Sequence, residues 1–252
     1  MMLLSLVLAL VLVRTIQTTE SHPIHHLKPQ YWWMRYWHAF SAQLSLLDRY
    51  PPLYKVLLTW LFPGLIVGLL SFFLSKFLYG LPQIIFAALI LWACLPDFRD
   101  LLPHDHDMNT LLVNANENLF AVVFWFILLG PAGALSYHAL SWLTRWTQQD
   151  QSLTRIESTL KTLHQWIGWL PSRLTGLFFA LVGNFDTGFQ KWRQVAFSHE
   201  VDAAKVLVSC GHAALAAELS RAEKEPAELA HILIERASFV WLIVLSVLSF
   251  NL

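Results

Sequence analysis

The sequence predicts an all-α, polytopic helical membrane protein with a broken or re-entrant central apolar segment and an amphipathic helical cytosolic part. Three observations predict it. Of 252 residues, 56% are hydrophobic and only 13% are charged, where a soluble globular domain carries roughly 25% charged residues. The apolar residues gather into separate runs of helix length, and no stretch shows the strict alternation of a half-buried strand. Formal net charge is zero, so bulk charge gives no basis for nucleic-acid binding, and the lipid bilayer is the expected partner.

The first run, MMLLSLVLALVLV, has no positively charged stretch before it, and Arg14-Thr15-Ile16-Gln17 is no small-residue cleavage site, so it reads as a retained membrane helix rather than a cleaved signal. At 1.5 Å per residue its 14 or so residues reach only about 21 Å, against a hydrocarbon core of roughly 30 Å. A polar connection, 15–52, follows. Within it Trp33, Trp37, Phe40, Leu44 and Leu47 fall at helical spacing, which predicts an amphipathic helix over about 28–50, stopped by Pro51-Pro52. Its YWWMRYW cluster (31–37) suits a membrane interface. His22, His25 and His26 read as solvated histidines with few acids nearby.

Leu53–Ser75 is long enough to span a bilayer, and the shorter Leu81–Pro96 pairs with it across a turn at Lys76 and Gly80-Leu81-Pro82. Charge returns in DFRDLLPHDHDMNT (97–110). The next run, LFAVVFWFILLGPAGALSYHALSWL (119–143), is interrupted by Gly130-Pro131-Ala132-Gly133. Glu225-Pro226 opens a last helix that becomes wholly apolar before the C-terminus. The expected domains are therefore 1–143, membrane-embedded helices; 144–235, a membrane-associated helical cytosolic region; and 236–252, a C-terminal membrane helix.

Lysine and arginine placement puts 15–52 (three) and 144–235 (nine) in the cytosol. Two topologies then fit. Either 53–96 is a full hairpin and 119–143 enters and returns at Gly130–Gly133, or 81–96 does not span and 119–143 crosses once as a kinked helix. In the cytosolic part, Phe189, Trp192, Ala196, Ala203, Leu207, Cys210, Ala214 and Ala217 share a helical face, with Asp186 and Thr187 as N-cap candidates. The two cysteines, Cys94 and Cys210, make no disulfide framework.

Two stretches carry candidate chemistry. In WIGWLPSRLTGLFFALVGNF (166–185) an arginine stands in apolar company, which is costly unless it is paired or reaches the interface. Arg173 therefore reads as an interfacial arginine, as half of an ion pair, or as part of a ligand site. His104-Asp105-His106-Asp107 offers four metal-ligand types in a row, but on a helix alternate residues point about 200° apart; a solvated loop is the better reading, and no metal is expected. No Walker-type phosphate loop, no G-x-S-x-G and no Cys–Cys zinc spacing occurs, and no cofactor is expected.

The order FAVVFWFILLGPAGALSY, then WLPSRLTGLFFALVGNF, then an apolar C-terminal helix resembles the AmpE family. That family is grouped with the CbiB/CobD adenosylcobinamide-phosphate synthases of cobalamin biosynthesis. The resemblance covers roughly 110–252 and rests on Gly130, Pro131, Pro171, Arg173 and Leu174. The synthases carry Glu-Asn-Thr-x-Asp before the broken segment; here Glu117 and Asn118 match, while Leu119 and Ala121 replace the Thr and the Asp. Ser141-Trp142-Leu143-Thr144 stands where the synthases have Asn-Thr-Leu-Asp, and Gln165 and Gly168 stand where they have polar and acidic residues. The missing acids imply a scaffold without the synthase chemistry. The resemblance thus implies a multi-pass inner-membrane regulatory protein of β-lactamase induction, not an enzyme, with membrane or cell-wall-recycling proteins as partners. A residual synthase and a transporter-like component are the alternatives. It also favours the hairpin for 119–143, with Glu117 near Arg173 as its pairing partner and Asn118 as a further ligand-binding or structural candidate.

Overall fold

The computed structural model describes residues 52–76, 81–95, 107–149, 154–198, 201–221 and 224–251. Every regular element among them is helical: α1 (Pro52–Ser75), α2 (Leu81–Cys94), α3 (Met108–Ala115), a π-helical turn (Asn116–Phe120), α4 (Ala121–Gln149), α5 (Thr154–Val182), α6 (Phe185–Val195), α7 (Ala203–Ala214), α8 (Ala216–Arg221) and α9 (Pro226–Asn251). The expected N-terminal membrane helix, the amphipathic helix at 28–50 and the histidines at 22–26 lie outside the described residues. Pro52 and Pro226 each stand first in a helix, where the missing N–H would have had no partner in any case.

Several expected boundaries move. The charged stretch 97–110 gives way to helix at Met108, because Met108, Leu111, Leu112 and Ala115 make a buried stripe at helical spacing. The single face drawn from Phe189 to Ala217 is divided among three helices, α6, α7 and α8. The cap of α6 is Asn184, whose side chain accepts from the Thr187 N–H, and not Asp186 or Thr187. Asn184 is the residue that still has extended backbone, which a cap requires.

α4 is two helices joined at Gly130, whose backbone sits at φ 67°, ψ −154°. Only glycine enters that region readily. Pro131 then opens the second segment, 131–149, at a first-turn position that suits its fixed φ. Residues eight apart in a straight helix stand about 12 Å apart along the axis. Here a Cβ on Gly133 would fall on the carbonyl oxygen of Trp125 and lie 2.7 Å from Leu129 Cβ. The chain bends sharply at Gly130, and Gly133 is glycine because backbone packs against it. Among the described residues one stretch, Met108–Thr147, is long and apolar enough to cross a membrane, with shorter apolar helices at Trp60–Ser75 and Leu81–Cys94.

The chain forms two compact units, residues 1–95 with 125–164, and residues 96–124 with 165–252. In the first, α1 meets the second segment of α4 along Trp60, Gly64 and Gly68. The Trp60 indole donates to the Ser136 carbonyl at 2.7 Å. A Cβ on Gly64 would fall on Ser136 Oγ, and one on Gly68 would touch Ala132 Cβ at 3.4 Å. This is a G-x-x-x-G contact against a small-x-x-x-small partner, the close approach that membrane helices use where hydrophobic burial offers little. The outer side of α1 exposes Leu65, Leu69 and Phe73, each at least 60% accessible, an apolar surface suited to lipid.

The second unit has a core of α3, the π-helical turn, the C-terminal half of α5, α7 and α9. Phe120, Phe124 and Phe178 surround the buried Trp241, and Phe120 also meets Phe179 edge-on. Such pairs contribute about 0.5–1.5 kcal/mol each beyond area burial. Small residues let α5, α6 and α7 cross closely. A Cβ on Gly183 would lie 2.6 Å from the Ala214 carbonyl oxygen, and one on Gly188 would lie 2.9 Å from Ala180 Cα.

Candidate functional site

Of the residues singled out by sequence, Gly130 and Pro131 form the break of α4 in the first unit, while Glu117, Asn118, Pro171, Arg173 and Leu174 fall in two places in the second unit: the π-helical turn and the segment 171–175 of α5. A π-helical turn carries one residue more than the α-helix around it, and such turns often mark functional positions. This one holds Asn116, Glu117 and Asn118. Asn116 is buried, and its Oδ1 accepts from the equally buried Thr175 hydroxyl at 2.9 Å. That bond fastens the turn to α5. Asn118 Nδ2 donates to the Asn114 carbonyl at 3.0 Å. Glu117 is half-buried and has no ion-pair partner among the described residues.

Arg173 is 4% exposed. Its guanidinium has five N–H donors, and each has an acceptor. Nε donates to the Ala196 carbonyl at 3.2 Å, Nη1 to the Trp169 carbonyl at 3.2 Å and to Ser172 Oγ at 3.3 Å, and Nη2 to the carbonyls of Ser198 at 3.2 Å and Val201 at 3.0 Å. The guanidinium lies 4.5 Å from the Trp169 ring centroid, within cation–π range. In return the Trp192 indole donates to the Arg173 carbonyl at 2.8 Å.

The expected Glu117–Arg173 ion pair is therefore absent. The acceptors are neutral oxygens, three of them in the connection from α6 to α7, so Arg173 is a clamp that ties this connection to α5. Carbonyls at a helix C-terminus attract cations, and the clamp supplies one at the end of α6. The guanidinium has no N–H left over for an anion. Pro171 is buried two residues earlier inside α5, and Leu174 is half-buried beside it.

His104, Asp105 and His106 lie outside the described residues. Asp107 stands exposed just before α3 and accepts a hydrogen bond from the Thr110 hydroxyl. Nearby, His212 of α7 lies 2.8 Å from Asn109 Oδ1. Among the described residues no group of three or more His, Cys, Asp or Glu side chains could hold a metal. Sequence reasoning missed Asn116 and Thr175, and it placed Trp192 on a helical face without its bond to the Arg173 carbonyl. The Asn-Glu-Asn spacing was visible, but an inserted π-helical residue that turns the first Asn inward leaves no mark in composition.

The family described as "Regulatory signalling modulator protein AmpE" matches residues 98–251, more than half of the chain. The chain is also similar to two curated proteins, each named "Cobalamin biosynthesis protein CobD". That of Chromobacterium violaceum is 27% identical over 113 residues, covering 44% of this chain and 36% of that protein. That of Stutzerimonas stutzeri is 26% identical over 114 residues, covering 45% and 38%. The matched stretch thus spans little more than a third of either relative. No solved structure matches the chain.

Proposed function

The chain belongs to the AmpE family, and on that premise we propose that it is a non-enzymatic regulatory protein of the bacterial inner membrane that modulates β-lactamase induction. The family match over residues 98–251 carries the reading. Two features of the site support it: Arg173 spends its donors on neutral oxygens of the chain itself, and Leu119 and Ala121 stand where the related synthases carry Thr and Asp. Its partners are the lipid bilayer and membrane or cell-wall-recycling proteins.

The topology that goes with this reading is an enter-and-return path for 108–147. Its 40 residues would measure about 60 Å if straight, twice the roughly 30 Å hydrocarbon core, and the bend at Gly130 shortens it. The functional test is deletion of the gene in its host, followed by measurement of β-lactamase induction and muropeptide levels. A changed induction threshold, restored by the intact gene, is expected; unchanged induction overturns the regulatory reading. The CobD similarity favours a second reading, a residual synthase of cobalamin biosynthesis. Under that reading the deletion strain requires an added corrinoid for growth.

A further inference from the structure

We infer that α6 is an in-plane anchor that seats on the phosphate-bearing surface of the bilayer. The inference rests on the membrane reading above and adds a lipid-contact site to it. Phe185, Phe189 and Trp192 lie at i, i+4 and i+7 on α6. Their rings stack in series, Phe185–Phe189 at 5.2 Å and 12° and Phe189–Trp192 at 5.7 Å and 20°. Phe197 closes the row edge-on to Trp192 at 5.8 Å. The row is not core: Phe185 is 49% and Phe197 73% exposed. Asp186, Thr187, Gln190 and Gln194 make a separate exposed polar side, and Gly188 the buried one.

Two features select a bilayer as the occupant. The first is charge. Lys191 and Arg193 are the sequence neighbours of Trp192, so they leave the helix about 100° to either side of it. α6 thereby carries two cations against one acid, Asp186. Cations flanking an aromatic stripe suit lipid phosphates, with long stems lying on apolar surface and charged ends in the headgroups. The second is continuity. α5 exposes Trp166, Leu170 and Leu181 on one stripe, about 22 Å long at 1.5 Å per residue, and Phe185 follows four residues after Leu181. An apolar stripe ending in aromatic rings with cations beside them has the layering of a bilayer boundary. The ridge is also fixed in advance: Trp192 donates to the Arg173 carbonyl while Arg173 Nε donates to the Ala196 carbonyl.

The test uses the full chain, with Cys94 and Cys210 replaced, reconstituted in nanodiscs with and without phosphatidylglycerol. Spin labels are placed singly through Phe185→Cys, Phe197→Cys, Gln190→Cys and, as a control on α1, Leu65→Cys, and their access to oxygen and to a nickel chelate is compared. The expected result is oxygen-favoured access at 185, 197 and 65 and chelate-favoured access at 190. Phosphatidylglycerol should shift 185 and 197 deeper, and Lys191→Gln with Arg193→Gln should abolish that shift. Chelate-favoured access at 185 and 197 with oxygen-favoured access at 65 overturns the anchor alone; chelate-favoured access at 65 as well overturns the membrane reading itself. Protection of 185 and 197 from both reagents means that protein covers the ridge, and this too overturns the anchor, as does a depth indifferent to phosphatidylglycerol.

Discussion

Arg173 joins two segments of one unit through neutral oxygens, and its substitutions report that role. Arg173→Ala removes five hydrogen bonds and takes the guanidinium donors from the buried Ala196 carbonyl and the half-buried Ser198 and Val201 carbonyls of the α6–α7 connection. The expected loss is at least about 3 kcal/mol, read as a lower midpoint of thermal unfolding in detergent. Arg173→Lys keeps the charge but has at most three donors in another geometry, and should fall between the two. Because Glu117 is not a partner, the losses from Arg173→Ala and Glu117→Ala should add; a coupling above roughly 0.5 kcal/mol in the double-mutant cycle counts against the clamp. Thr175→Val strands the buried Asn116 carbonyl oxygen, and should cost about 1–3 kcal/mol. At Asp107, the hydrogen bond from Thr110 holds the carboxyl below its ordinary pKa. A depressed carboxylate pKa adds stability that is complete above the unfolded value of about 4 and is lost as pH falls through the folded value. A fall in unfolding midpoint across that acid range should therefore be smaller in Thr110→Val. Sequence marked Arg173 as unusual because its neighbours are apolar. It could not show the acceptors, since a backbone carbonyl belongs to every residue, and reasoning over side chains alone chose a carboxylate.

The break in α4 was legible as an element, because Gly-Pro in an apolar run has few other readings, and Gly130 adopts the backbone that this reading needs. Gly130→Ala should cost of order 1–3 kcal/mol for a side chain held in a glycine-only region. Gly133→Ala should be at least as damaging, since the new methyl meets the Trp125 backbone and not a movable side chain. Circular dichroism of either variant should keep its helix content while the unfolding midpoint drops. The G-x-x-x-G at Gly64 and Gly68 is visible in the sequence but carries no meaning there by itself, because glycines in an apolar run show a close approach only once the partner helix is known. α3 was missed for the opposite reason. Its four buried residues have clear helical spacing, but they follow the charged stretch that begins at Asp97 and span barely two turns, too short a run to stand out by periodicity.

At the scale of the molecule, composition together with apolar runs of helix length carried the all-helical class, and the described residues are helical without a strand. Composition could not say how apolar helices divide between lipid and each other, because both surroundings accept the same side chains. Carbonate extraction of isolated membranes should leave the protein in the pellet, and its release would remove the membrane assignment. Cysteines introduced by Asp107→Cys and Asp150→Cys should react with an impermeant maleimide only from the cytosolic side; reaction from opposite sides would make 108–147 a single bent crossing. The clamp also orders events during biosynthesis. Arg173 is made 23 residues before the first of its distant acceptors, Ala196, and 28 before the last, Val201. At 5–20 residues per second this is roughly one to six seconds of translation. Through that interval the guanidinium has only its local acceptors, Trp169 and Ser172, and the rest of its donors need water. The C-terminal half of α5 therefore completes its packing only after α6 has been synthesised and folded back, which makes this half of the helix a late piece of the fold to settle.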